Sequence, residues 1–80
     1  MMIKFSTAAW ERQLTDKAML KRINQLIRDI QREPFAGIGK PEPLKHQLAG
    51  FWSRRIDSCH RLVYAVEGDT LLIAQCRDRY

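Results

Sequence analysis

Eighty residues carry 14 Lys and Arg against 9 Asp and Glu, a formal charge of +5, with 45% hydrophobic and 29% charged residues. That length supports one domain over residues 1–80 with a modest core; the composition excludes a disordered chain, and the positive field favours polyanion partners. Two cysteines are too few for a disulfide framework or a metal quartet, and neither a signal peptide nor a membrane-length apolar run is present, so the expected setting is a reducing cytoplasm.

In chain order, Met2–Phe5 is short and apolar around Lys4 and predicts a first strand. Ser6 or Thr7 is placed to cap a short helix holding Ala8, Ala9, Trp10 and Leu14, and Thr15 or Asp16 to cap a second. In that second helix Met19, Leu20, Ile23, Leu26, Ile27 and Ile30 recur at spacings of one, three or four, which lines them along one face. Pro34 ends it, because a proline ring cannot continue the hydrogen-bond ladder. Phe35–Leu44 reads as a loop punctuated by Gly37, Gly39, Pro41 and Pro43. Beyond Gly50 three β-rich runs, Phe51–Ile56, His60–Val66 and Thr70–Arg77, are separated by Asp57-Ser58-Cys59 and Glu67-Gly68-Asp69, the pattern of an antiparallel meander. Helices before strands favour an α+β fold with the helices on one face of the sheet.

Hairpin geometry places arginines against each other. A turn at 57–59 sets Arg55 opposite Arg61, and a turn at 57–58 sets Arg54 there instead. Either register opposes two guanidinium groups, which destabilises a sheet unless an anion lies between them. With Glu67-Gly68-Asp69 as the second loop, Arg61 faces Gln75, and alternation puts Arg77 and Arg79 on the same face. Glu42 stands between Pro41 and Pro43 in the loop leading into this region, followed by Lys45 and His46. As a plain surface acid it would leave the prolines merely shaping a turn. Paired with the arginines, it is a base for metal-free RNA cleavage: the carboxylate takes the proton of the ribose 2′-OH, the 2′-oxygen attacks phosphorus, and the cations stabilise the growing charge. DNA, lacking that hydroxyl, is spared.

The linked motifs "KPEPLKH", "GFWSRR" and "HRLVYAV", with the terminal Tyr80, resemble the YoeB/Txe toxins of the RelE/ParE superfamily. The resemblance runs from about Asp16 to the C-terminus. It implies a compact RelE-like, microbial-RNase-like α+β fold, two N-terminal helices packed on a twisted antiparallel sheet. It implies a ribosome-dependent mRNA endonuclease (an mRNA interferase) acting in the decoding site, against the ribosomal RNA there, and a cognate antitoxin of the YefM/Axe type. No cofactor, metal or membrane is implied. The family suggests dimers, which the shorter N-terminal region leaves open. By resemblance Glu42 is the general base, Arg61 stabilises the transition state, Arg55 and Lys45 contact phosphate, and Tyr80 positions the RNA. Arg54, Arg77 and His46 are further candidates for phosphate or RNA contact.

The chain departs from the family in two places. The family commonly ends in His-Tyr, the histidine serving as general acid for the leaving 5′-oxygen; here Arg79 stands in that place. Arginine is a poor acid, though it can bind phosphate. The donor is then left open among His46, His60, Tyr80, water and a ribosomal group. The stretch near Trp10 is also four residues shorter than in the family, close to one helical turn of about 3.6 residues. Two rival readings follow: a toxin homologue weakened in chemistry that still binds ribosome or antitoxin, and a gyrase inhibitor of the ParE branch.

Overall fold

The computed structural model describes residues 2–6 and 17–77. The first expected helix falls on residues outside that range, as do Arg79 and Tyr80; among the described residues there is one α-helix, α1 (Lys17–Arg32). Ile23, Leu26, Ile27 and Ile30 fall at i, i+3, i+4 and i+7, and all four are buried. Lys17, Lys21, Asn24, Gln25, Arg28 and Arg32 lie on the exposed side. The last helical bond runs from Glu33 N to Asp29 O, immediately before Pro34. No described helix is long and apolar enough to cross a membrane.

The strands β1 (Met2–Phe5), β2 (Glu42–Pro43), β3 (Trp52–Arg55), β4 (Arg61–Glu67) and β5 (Thr70–Arg77) form one sheet in the order β1-β5-β4-β3-β2. The expected antiparallel meander is β3-β4-β5. The sheet as a whole is mixed, which corrects the all-antiparallel expectation: β1 pairs parallel with β5, Met2 opposite Thr70 through Phe5 opposite Ile73. Parallel partners need a long crossover, here everything between β1 and β5, and such a partner leaves no local turn signal. A second correction lies inside the expected loop, whose end pairs with β3 as the two-residue edge strand β2. A proline is tolerated there because an edge strand need not donate on its outer side.

The helix-facing side of the sheet contributes Leu62, Tyr64, Leu71 and Ile73, and with Ile56 these close over the four α1 residues to form the core. Phe5, Met19, Trp52 and Val66 pack around its margin.

Arg54, at 0% exposure, is the largest of the fully buried side chains. Its Nη1 donates to Asp29 Oδ2 at 2.6 Å and to the Ile38 carbonyl at 3.1 Å. Its Nη2 donates to the carbonyls of Glu33 (2.7 Å) and Ala36 (2.9 Å), and its Nε to Tyr64 Oη (3.2 Å). A guanidinium has five N–H donors, and here all five have acceptors, which is what makes the buried charge tolerable. Tyr64 in turn donates to the Pro34 carbonyl at 2.7 Å. Gly37, at φ 120°, lies where a side chain would collide with the Asp29 carboxylate.

The Arg32 and Arg54 guanidiniums, with the N–H of Ile38, hold Asp29 at a pKa of about 2 against an ordinary 3.8. A depressed carboxylate contributes stability above its unfolded pKa and loses it as the pH falls through the folded one. Acidification from about pH 4 to about pH 2 therefore destabilises the protein, and Asp29→Asn flattens that part of the curve of urea midpoint against pH. An Asp29→Asn protein with an unchanged acid slope would contradict this account.

Candidate active site

The site forms on the sheet face away from α1, because β3 alternates. Trp52 and Arg54 turn toward the helix, so Ser53 and Arg55 turn the other way. The expectation that Arg54 contacts RNA phosphate is therefore corrected: its charge is buried and its donors are all taken. Its place between Trp52 and Ile56, both apolar and two residues away, was the period-two signal for an inward side chain.

Glu42 reaches this face through β2, where it lies opposite Ser53. The pairing is continued by Leu44 N to Phe51 O, 2.9 Å, and preceded by Arg55 N to Gly39 O, 2.6 Å. At φ 78°, Gly39 lets the backbone come this close: a Cβ there would lie 2.8 Å from Leu26 Cδ2 and 3.1 Å from the Arg55 carbonyl. Two non-glycine residues, Lys40 (φ 50°) and His46 (φ 59°), hold left-handed backbone on either side of Glu42. Such conformations cost about 1–3 kcal/mol each and gather at functional sites.

Arg61 projects from β4 between these groups. Its Nη1 donates to Ser53 Oγ at 3.2 Å and its Nη2 to Glu42 Oε1 at 3.4 Å. The carboxylate is 55% exposed and the guanidinium 23%. An exposed pair at that distance contributes about 0–1 kcal/mol, so an incoming phosphate displaces it at little cost.

Arg55 lies opposite Arg61, the register expected from a turn at 57–59. On its other side Arg61 faces Arg77, which corrects the expected Gln75. Glu67 pairs with Thr70 across a two-residue turn, and a bulge between Val63 and Tyr64 adds one more residue to β5. Each moves the register by one, and together they set Arg55, Arg61 and Arg77 in a single cross-strand row. Like charges opposed in this way destabilise a sheet by a few tenths to about 1 kcal/mol. Arg55→Thr is expected to raise the urea midpoint while lowering the salt slope of RNA binding by about one charge. A destabilised Arg55→Thr protein would contradict that.

Lys45 and His46 are exposed on the segment after β2, His46 opening a single 3₁₀ turn. His60 is turned elsewhere. It lies across from the core residue Ile56, whose N–H donates to its carbonyl at 2.9 Å, so the register sets it on the face opposite Arg61. Its Nδ1 lies 2.9 Å from Asp57 Oδ1. Partial burial works against the Asp57 carboxylate, but the N–H groups of Cys59 and His60 and the His60 ring outweigh it and lower its pKa.

The grouping brings together an exposed carboxylate on an edge strand, a partly buried arginine against it and the exposed Arg55 opposite that arginine. A base and cations at this spacing can remove a hydroxyl proton and hold a phosphate.

The family described as "YoeB-like toxin of bacterial type II toxin-antitoxin system" matches residues 5–80. Toxin YoeB of Escherichia coli K12 is 57% identical over 84 aligned residues, covering all of both chains. A solved "YoeB/ParE toxin" of Agrobacterium tumefaciens superposes with a TM-score of 0.94 at 48% identity over all of both chains. The Staphylococcus aureus YoeB dimer gives 0.91 at 46%, covering 100% of this chain and 98% of that one. The same organism's heterotetrameric YoeB–YefM toxin–antitoxin complex gives 0.89 at 47%, covering 98% and 95%.

Proposed function

Because the chain belongs to the YoeB-like toxins of bacterial type II toxin–antitoxin systems, we propose that it is a ribosome-dependent endoribonuclease that cuts messenger RNA in the decoding site and so stops translation. The observation that carries this reading is the Glu42–Arg61 pair, 3.4 Å apart and backed by Arg55. Substrate phosphate takes the place of the carboxylate on Arg61, which frees Glu42 to accept the 2′-OH proton. The 2′-oxygen bonds to phosphorus as the bond to the 5′-oxygen breaks, and that oxygen takes a proton from water, leaving a 2′,3′-cyclic phosphate and a 5′-hydroxyl. Arg61 and Arg55 stabilise the charge on the phosphoryl oxygens, needing no metal, and Lys45 and Arg77 extend the phosphate contacts. His46 contacts the RNA beside them, and the terminal Tyr80 positions the nucleotide, as the family resemblance implies.

The partners on this reading are the ribosome with its messenger RNA, a YefM-type antitoxin that covers the site, and a second copy of the chain. The solved Staphylococcus aureus YoeB dimer and YoeB–YefM complex support the last two. Mapping 5′ ends of messenger RNA on stalled ribosomes tests the activity. New ends at the decoding site are expected; their absence would overturn it, and blocked supercoiling with intact messenger would favour the gyrase reading.

Arg79 favours a second reading, in which the toxin binds but cuts poorly because its proton donor is missing. On that reading Arg79→His raises the single-turnover rate at least about tenfold. On the first reading the unmodified chain already yields the ends.

A further inference from the structure

We propose that Arg54, Asp29 and Tyr64 form a clamp through the sheet that positions Glu42 against Arg61, so that the buried Arg54 and Tyr64 and the partly buried Asp29 act on the chemistry as positioning residues. The inference rests on the reading of Glu42 as the base. Between the end of α1 and β2, residues 33–41 have no regular hydrogen-bond ladder of their own. What holds the segment is the clamp. Arg54 takes the carbonyls of Glu33, Ala36 and Ile38, Tyr64 takes that of Pro34, and Asp29 takes the N–H of Ile38 at 3.0 Å. Gly39 then bonds to Arg55 N at 2.6 Å, three residues before Glu42.

The other half of the pair is set by the same strand. Ser53 and Arg55, the neighbours of Arg54, face the site: Ser53 accepts from Arg61, and Arg55 lies opposite it. Three consecutive residues of β3 thus hold the loop of the base on one face and the phosphate-binding arginine on the other. A displacement of the loop moves Glu42 while leaving Arg61 in place. Misplacing a reacting group by about 1 Å costs on the order of 10²-fold in rate. A lysine cannot substitute for Arg54, since three donors on one nitrogen do not span five acceptors in a plane.

Tyr64→Phe tests this most cleanly, because it keeps the ring in the core and removes only the hydroxyl that bridges Arg54 to Pro34. Asp29→Asn, close to isosteric, is the second probe. Each is measured alone and in a Glu42→Ala background, by single-turnover cleavage on programmed ribosomes below the melting temperature of every variant. In the unmodified background each variant is expected to lower the maximal rate about 10–100-fold with KM within about twofold. In the Glu42→Ala background the same change is expected to do almost nothing to the residual rate, since no base remains to be positioned.

Equal losses in the two backgrounds would show a merely structural role and overturn the proposal. So would a folded Tyr64→Phe or Asp29→Asn protein with an unchanged maximal rate. A Glu42→Ala protein that cleaves at the unmodified rate would instead remove the base itself, and the clamp's assignment with it.

Discussion

Glu42→Gln is expected to lower single-turnover cleavage of ribosome-bound messenger RNA by about 10²–10⁴-fold, the contribution of a positioned general base. The amide keeps the size of the side chain and can still accept a hydrogen bond from Arg61, but it cannot take up a proton. Binding to ribosomes should survive, because the removed charge is negative and the substrate is a polyanion. Stability should survive as well. Glu42 is exposed, its ion pair with Arg61 spans 3.4 Å, and pairs of that kind contribute about 0–1 kcal/mol. The expected pattern is a lost rate, a near-constant melting temperature and no loss of affinity. A folded Glu42→Gln protein that cuts at the unmodified rate would mean that another group is the base.

Arg61→Ala should follow closely, with a loss of about 10²–10³-fold from removing one preorganised donor to the developing charge. Arg61→Lys separates charge from geometry. Arg61 spans Ser53 Oγ and Glu42 Oε1 with two different nitrogens, at 3.2 Å and 3.4 Å. A lysine ammonium carries the charge but not the fork, so it should recover only part of the loss. Full activity in Arg61→Lys would show that a point charge suffices and that the two-armed geometry is irrelevant.

Much of the frame was readable from residue order because it is set by local rules. The buried faces of α1 repeat at helical spacing, Pro34 stops the helix, and two turn clusters divide the meander, which narrowed the β3 partner of Arg61 to Arg55 or Arg54; the pairing is with Arg55. What escaped is non-local or depends on a single inserted residue. The partner of β1 lies at the other end of the chain. One bulge and a turn one residue shorter than assumed exchanged Gln75 for Arg77 opposite Arg61. The two residues of β2 are too few to produce a period, and they join the sheet only because β3 offers an edge.

Arg54 was misjudged for a different reason. A charged residue in an arginine pair reads as surface, although its neighbours two positions away, Trp52 and Ile56, are apolar on the inner face. Its burial depends on Asp29, twenty-five residues earlier, and on four acceptors besides that carboxylate. The candidate site was legible in its members Glu42, Arg55 and Arg61, whereas the interior charge beneath it was not.

Whether Glu42 activates a ribose hydroxyl for attack on the adjacent phosphate can be read from the substrate itself. Ribosomes are programmed with a messenger carrying a single 2′-deoxynucleotide at the scissile position, beside the all-ribose control, and the product ends are identified. A 2′,3′-cyclic phosphate and a 5′-hydroxyl are expected from the control, and an intact strand from the deoxy-substituted messenger. Cleavage of the deoxy-substituted strand at the control rate would contradict that role of Glu42.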